Sequence, residues 1–136
     1  MNKIRMIALA ACMAATLDAA AQEQEIRLFS HRGGRMEHDE NTLSAFQASY
    51  DAGYRGFETD IRMTRDGALV ITHDSSLERT TDGTGTVEEK TEAEIRQLAT
   101  KQGNKMMFLD ELLEFLKGKE GLYVEFEMKT KPEALY

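Results

Sequence analysis

One cysteine, Cys12, and one proline, Pro132, stand in the whole chain. The first leaves no intramolecular pair for a disulfide, so no covalent staple holds the fold; the second leaves no proline-rich linker. There is no internal repeat and no low-complexity tract, and 136 residues set a limit of one domain. The glycines of Gly83-Thr84-Gly85 do not form a phosphate-loop pattern; that polar stretch reads as a connection, with contact to a substrate left open. Positive charge is also scarce, with 17 lysines and arginines against 24 aspartates and glutamates, a net charge of −7. Such a surface excludes recognition of nucleic acid or anionic lipid by its overall field, so a phosphate-bearing ligand needs a local positive centre.

Long apolar runs are missing too. The one at residues 6–17 is too short to span a bilayer core of roughly 30 Å, which argues against a stable membrane span. It follows Lys3 and Arg5 and leads to Ala19-Ala20-Ala21, a small-residue site. The spacing predicts a secretory signal peptide over residues 1–21, an exported domain over 22–136, and a periplasmic or secreted location. Leu9-Ala10-Ala11-Cys12 also resembles the lipobox of bacterial lipoproteins; this second reading is weaker, because the apolar segment runs on past Cys12. Cleavage after Ala21 leaves 115 residues with no cysteine, 15 basic and 23 acidic side chains, and a net charge of −8.

What is present centres on Gly56-Phe57-Glu58-Thr59-Asp60-Ile61. Alternation makes it a strand with Glu58 and Asp60 on one face. Two carboxylates side by side on a β-prone segment repel and lose hydration unless a cation sits between them, and a divalent metal is the simplest one. An acidic face turned to water explains the same pattern. Before this strand, residues 26–30 read as a strand running into His31-Arg32-Gly33-Gly34, and residues 43–52 as a helix capped by Asn41 or Thr42 and ended by Gly53, with Leu43, Phe46 and Tyr50 on its core face. After it, Asp66-Gly67 signals a tight turn into residues 68–74, which folds His73-Asp74 back towards Glu58 and Asp60. Helices are expected over 91–99, with a Thr91/Glu94 capping box, and over 108–116. Residues 123–129 alternate again, with Glu125, Glu127 and Lys129 in phase; a solvated ionic face accounts for them equally well in isolation. The order alternates strand and helix as a parallel α/β sheet or barrel does, with polar groups gathered at strand ends.

Those landmarks, together with Glu40-Asn41-Thr42, Thr64-Arg65-Asp66-Gly67 and Leu77-Glu78-Arg79-Thr80-Thr81, resemble the glycerophosphodiester phosphodiesterases over about residues 27–130. The resemblance implies an α/β fold of the (β/α)8 TIM-barrel family, of which this sequence holds about the first half, since a full barrel takes roughly 250 residues. It implies Glu58, Asp60 and Glu127 as ligands of one Ca²⁺ or Mg²⁺, His31 and His73 as the acid–base pair, Arg32 and Lys129 as phosphate-binding cations, and Glu40 and Asn41 as shapers of the first loop. The implied reaction is metal-dependent hydrolysis of a glycerophosphodiester, through a cyclic phosphate, to glycerol 3-phosphate and an alcohol such as choline or ethanolamine. A related phospholipase acting on lysophospholipid or sphingomyelin, and an inactive truncated fragment, are the competing readings. An unclosed half-barrel also exposes an edge strand, which makes a second copy or a complementary chain an expected partner. Three positions depart from or lie outside the pattern: Asp39 replaces a usual proline and is expected to loosen its loop, Glu125 places a fourth carboxylate on the same face, and His38 is expected at the surface.

Overall fold

The computed structural model describes residues 27–130. The leader, Cys12, Ile26 and Pro132 lie outside these described residues. The elements are β1 (Phe29–His31), α1 (Leu43–Asp51), β2 (Gly56–Met63), β3 (Leu69–Ile71), a 3-10 turn (Val87–Glu89), α2 (Glu92–Ile95), α3 (Leu109–Leu116) and β4 (Tyr123–Met128).

The sheet is built around β2. β1 pairs parallel along one edge, with His31 opposite Glu58, and β4 pairs parallel along the other, with Glu125 opposite Glu58 and Glu127 opposite Asp60. Ile61 faces Met128 of β4 and Ile71 of the antiparallel β3, so β3 continues the edge that β1 begins. The first strand falls later than the expected residues 26–30, and His31 itself is in the ladder. Parallel pairing puts register partners on one face, so His31, Glu58, Asp60, Glu125 and Glu127 share the side of the sheet opposite Phe57 and Ile61.

Phe57 and Ile61 pack under the helices with Phe46, Ile71, Met107 and Leu112. Each such side chain contributes about 1.5–3 kcal/mol when removed from water. Thr42 caps α1 by accepting from the Ala45 amide. The buried stripe of α1 is Ala45, Phe46 and Ser49, turned towards β1 by the Ser49 hydroxyl, which donates to the Gly33 carbonyl (2.9 Å) and accepts from Ser30 (2.6 Å). Of the expected core face, Phe46 is fully buried and Tyr50 partly, while Leu43 is 47% exposed, at the rim of that stripe. Gly33 is needed where it stands: φ is +75°, and a Cβ there would lie 2.9 Å from that of Ala45.

Residues 72–108 enclose a second cluster of Val70, Leu77, Val87, Ile95, Met106 and Phe108. Here the expected helix over 91–99 shrinks to Glu92–Ile95, although its Thr91/Glu94 capping box forms. The chain leaves the helix because residues 99–101 bond across the connection instead: the Asp82 amide donates to Ala99, and the Lys101 amide to Thr80. Asp39 also departs from expectation. It is buried and accepts from Thr100 Oγ1 (2.5 Å) and Asn104 Nδ2 (2.8 Å), so it pins the first loop to this connection rather than loosening it. His38 is half-buried, and Glu125 is exposed. Among the described residues no helix is long and apolar enough to cross a membrane.

Leu112 is fully buried between α3 and β2. Leu112→Ala is expected to lower the unfolding free energy by about 2–5 kcal/mol, read as a shift of the urea midpoint. An unmoved midpoint would mean that α3 is not seated on the sheet.

Candidate active site

The polar face of the sheet gathers its charges at the C-terminal ends of the parallel strands. Glu58, Asp60 and Glu127 each offer a carboxylate oxygen, and these oxygens lie within 4.8 Å of one another. Asp60 is fully buried, Glu58 half-buried and Glu127 exposed. Burial, followed by the charge of Asp60, raises the pKa of Glu58. The carboxylates differ in how they are compensated. Asp60 Oδ2 accepts from Asn41 Nδ2 at 3.1 Å and has Arg32 Nε at 3.0 Å, whereas Asp60 Oδ1 is buried without a hydrogen bond. The Lys129 ammonium stands 3.4 Å from Oδ1, an ion-pair distance. Lys129 also binds Glu127 at 2.6 Å, and that hydrogen bond, with Asp60 nearby, holds its pKa up. An orphaned buried oxygen among three hard carboxylate donors fits a divalent cation such as Ca²⁺ or Mg²⁺.

Arg32 and Asn41 reach Asp60 from the first loop, and both have left-handed backbone, at φ +54° and +58°. Non-glycine residues hold that conformation only where the surroundings enforce it. Here the Arg32 amide donates to the Glu58 carbonyl (2.9 Å), and the Asn41 amide to the Arg32 carbonyl (2.9 Å). Asn41 is fixed further by Thr59, whose hydroxyl donates to its side-chain oxygen at 3.1 Å. His31 lies half-exposed with Nε2 3.5 Å from Glu58 Oε2.

His73 arrives by the β2–β3 hairpin: the amide of its neighbour Thr72 donates to the Asp60 carbonyl (3.0 Å), and Arg62 Nε donates to the His73 carbonyl (2.8 Å). Its ring Nδ1 is 2.6 Å from Asp74 Oδ1. Asp74 is bound in turn by Arg79 Nε, and Arg79 grips both oxygens of Glu40 at 2.9 and 2.8 Å. Arg32 Nη1 shares that Glu40 carboxylate at 3.2 Å. The Arg79 hydrogen bonds hold Asp74 down to about 2 and lower Glu40 as well.

All seven residues expected at the site thus lie on this rim: Glu58, Asp60, Glu127 and Lys129 form one cluster, with Arg32 and His31 against it and His73 tethered beside it. Asp74 and Arg79, which carry no role in the sequence reading, also bind into this rim; the adjacency of Asp74 to a histidine is the available signal. A cleft of about 790 Å³ lined by Leu28, Tyr54, Arg55 and Tyr123 opens at the opposite, N-terminal ends of the strands and contains none of these groups.

Residues 31–135 match the glycerophosphoryl diester phosphodiesterase family. A glycerophosphodiester phosphodiesterase of Caldanaerobacter subterraneus is 41% identical over 71 residues, covering 52% of this chain and 29% of its own. The human glycerophosphodiester phosphodiesterase 1 is 40% identical over 82 residues, covering 60% of this chain and 25% of its own. Among solved structures, the Agrobacterium tumefaciens enzyme superposes with a TM-score of 0.68 at 34% identity, over 75% of this chain and 47% of that one. An Oleispira antarctica phosphodiesterase, solved with its product sn-glycerol-3-phosphate, gives 0.71 at 31% identity, over 76% and 44%. The described residues are therefore part of a TIM-barrel fold, and the chain spans about a quarter to a half of the length of these relatives.

The contacts of Asp74 and Glu40 with Arg79 lower both carboxyl pKa values, so they add stability in full above the ordinary carboxylate range and lose it as pH falls from about 4 towards about 2. The stability deficit of Asp74→Asn in urea melts should therefore shrink through that window. A deficit that stays constant down to about pH 2 would contradict the ion pairing.

Proposed function

Since the chain belongs to the glycerophosphoryl diester phosphodiesterase family, we propose that it carries the metal-binding and acid–base half of a site hydrolysing glycerophosphodiesters to glycerol 3-phosphate and an alcohol, outside the cytoplasm. The observation that supports this most is the meeting of three carboxylates, two cations and His31 on one rim, with His73 held next to it.

A phosphodiester has one negative charge that repels nucleophiles, and more charge builds on its oxygens as the reaction proceeds. Glu58, Asp60 and Glu127 would hold one Ca²⁺ or Mg²⁺, which when bound supplies Lewis-acid neutralisation of that charge. Lys129, paired with Glu127 and Asp60, would turn its ammonium to a non-bridging phosphate oxygen once those carboxylates were engaged as ligands. Arg32 is fixed by Asp60 and Glu40 through Nε and Nη1, and its Nη2 is the nitrogen offered to the phosphate. His31 and His73 divide the proton work: one removes the proton of the attacking glycerol hydroxyl, the other protonates the departing alkoxide as its P–O bond breaks. Water then opens the cyclic phosphate with the two roles exchanged. No contact among the described residues favours the phospholipase reading.

The test is hydrolysis of glycerophosphocholine by the purified chain with Ca²⁺, Mg²⁺ or chelator. Turnover should require the metal and fall by about 10²–10⁴-fold in His31→Ala. Turnover indifferent to chelator and to this substitution would contradict the assignment.

A further inference from the structure

We propose that Arg79 is a positioning residue that sets the tautomer of His73 and ties it to the phosphate-binding Arg32, through a continuous chain of ionic contacts. The inference rests on the acid–base reading of His73 given above. The chain runs from His73 Nδ1 to Asp74 Oδ1, from Asp74 Oδ2 to Arg79 Nε, from both Arg79 Nη atoms to Glu40, and from Glu40 Oε1 to Arg32 Nη1.

Three features make this more than a surface ion pair. Arg79 uses three nitrogens on two carboxylates, and the Glu40 contact is a two-point fork that a lysine does not reproduce. The bond joins segments 39 residues apart, the loop after β1 and the loop after the hairpin, whose other tie near the site is the Asp39 contact to Thr100 and Asn104. By taking Asp74 Oδ2, Arg79 also fixes the carboxylate so that Oδ1 faces the ring. A carboxylate at Nδ1 keeps the neutral imidazole proton there and leaves the lone pair on Nε2, the atom that takes or returns a proton. Arg79 is itself half-exposed, with 47% of its side chain in contact with solvent, so its removal creates no core cavity.

The experiment records long-range ¹H–¹⁵N spectra of the histidine ring nitrogens at neutral pH, on the full chain and on Asp74→Asn, Arg79→Ala and Arg79→Lys. The neutral ring of His73 should carry its proton on Nδ1 in the parent chain, lose that signal in Asp74→Asn and in Arg79→Ala, and regain part of it in Arg79→Lys. His38, which takes no part in these contacts, is the internal control for folding. With glycerophosphocholine as substrate, Arg79→Ala should lower kcat by on the order of 10–100-fold, the range seen when a carboxylate–histidine support is removed, with little change in KM. A folded Arg79→Ala chain with the His73 tautomer unchanged would overturn the proposal, whatever its turnover. A tautomer that responds in a chain without phosphodiesterase activity would uphold the coupling and count against the function proposed above.

Discussion

Three carboxylates brought within 4.8 Å by strand register are the constraint on which the rest of this structure depends. At an effective dielectric of about 20, each pair of charges at that separation repels by roughly 3–4 kcal/mol. That is a large fraction of the about 5–15 kcal/mol that holds a domain folded. The register cannot relieve it, because shifting β4 by one residue would turn Val124, Phe126 and Met128 to the polar face. The cost is met with cations: Arg32 and Lys129 stand against Asp60, and a divalent ion fits the oxygen that neither satisfies by hydrogen bonding.

This demand explains local features that look unfavourable alone. Arg32 adopts a left-handed backbone and is nearly fully buried, both costly for an arginine, because this is how its guanidinium reaches Asp60 from the turn after β1. Asn41 is twisted in the same way to bring its amide to the same carboxylate. Glu40 then neutralises Arg32, and Arg79 neutralises Glu40, so charge alternates outward from the buried centre to the solvent. Electrostatic compensation of the centre and orientation of His73 are two ends of one network.

Much of this was legible in the sequence, and the reasons differ by residue. Period-two alternation gave β2 and β4 and the shared face of Glu58, Asp60 and Glu127, because strand geometry follows directly from it. Alternation left open whether that face meets water; the sheet order answered this, placing β2 between two parallel neighbours and burying Asp60 completely. Helix signals located α1 and α3 to within a residue. They overrun beyond Ile95, where the hydrogen bonds from Asp82 to the Ala99 carbonyl and from Lys101 to the Thr80 carbonyl outweigh helix propensity. Spacing alone puts Leu43 on the core face, whereas the buried stripe of α1 is Ala45, Phe46 and Ser49 and leaves Leu43 47% exposed. The bonds from Arg79 to Glu40 and from Thr100 to Asp39 join residues 39 and 61 positions apart, and no local pattern encodes such pairs.

The carboxylate cluster, compensated by Arg32 and Lys129, has the donor set of a divalent-cation site. Calorimetric titration of Ca²⁺ into the chain, beside the same titration into Asp60→Asn, tests it most directly. One ion per chain in the parent, with binding abolished by the substitution in a protein that remains folded, is the predicted result. Equal binding by both, or no binding by a folded parent chain to either Ca²⁺ or Mg²⁺, would contradict it.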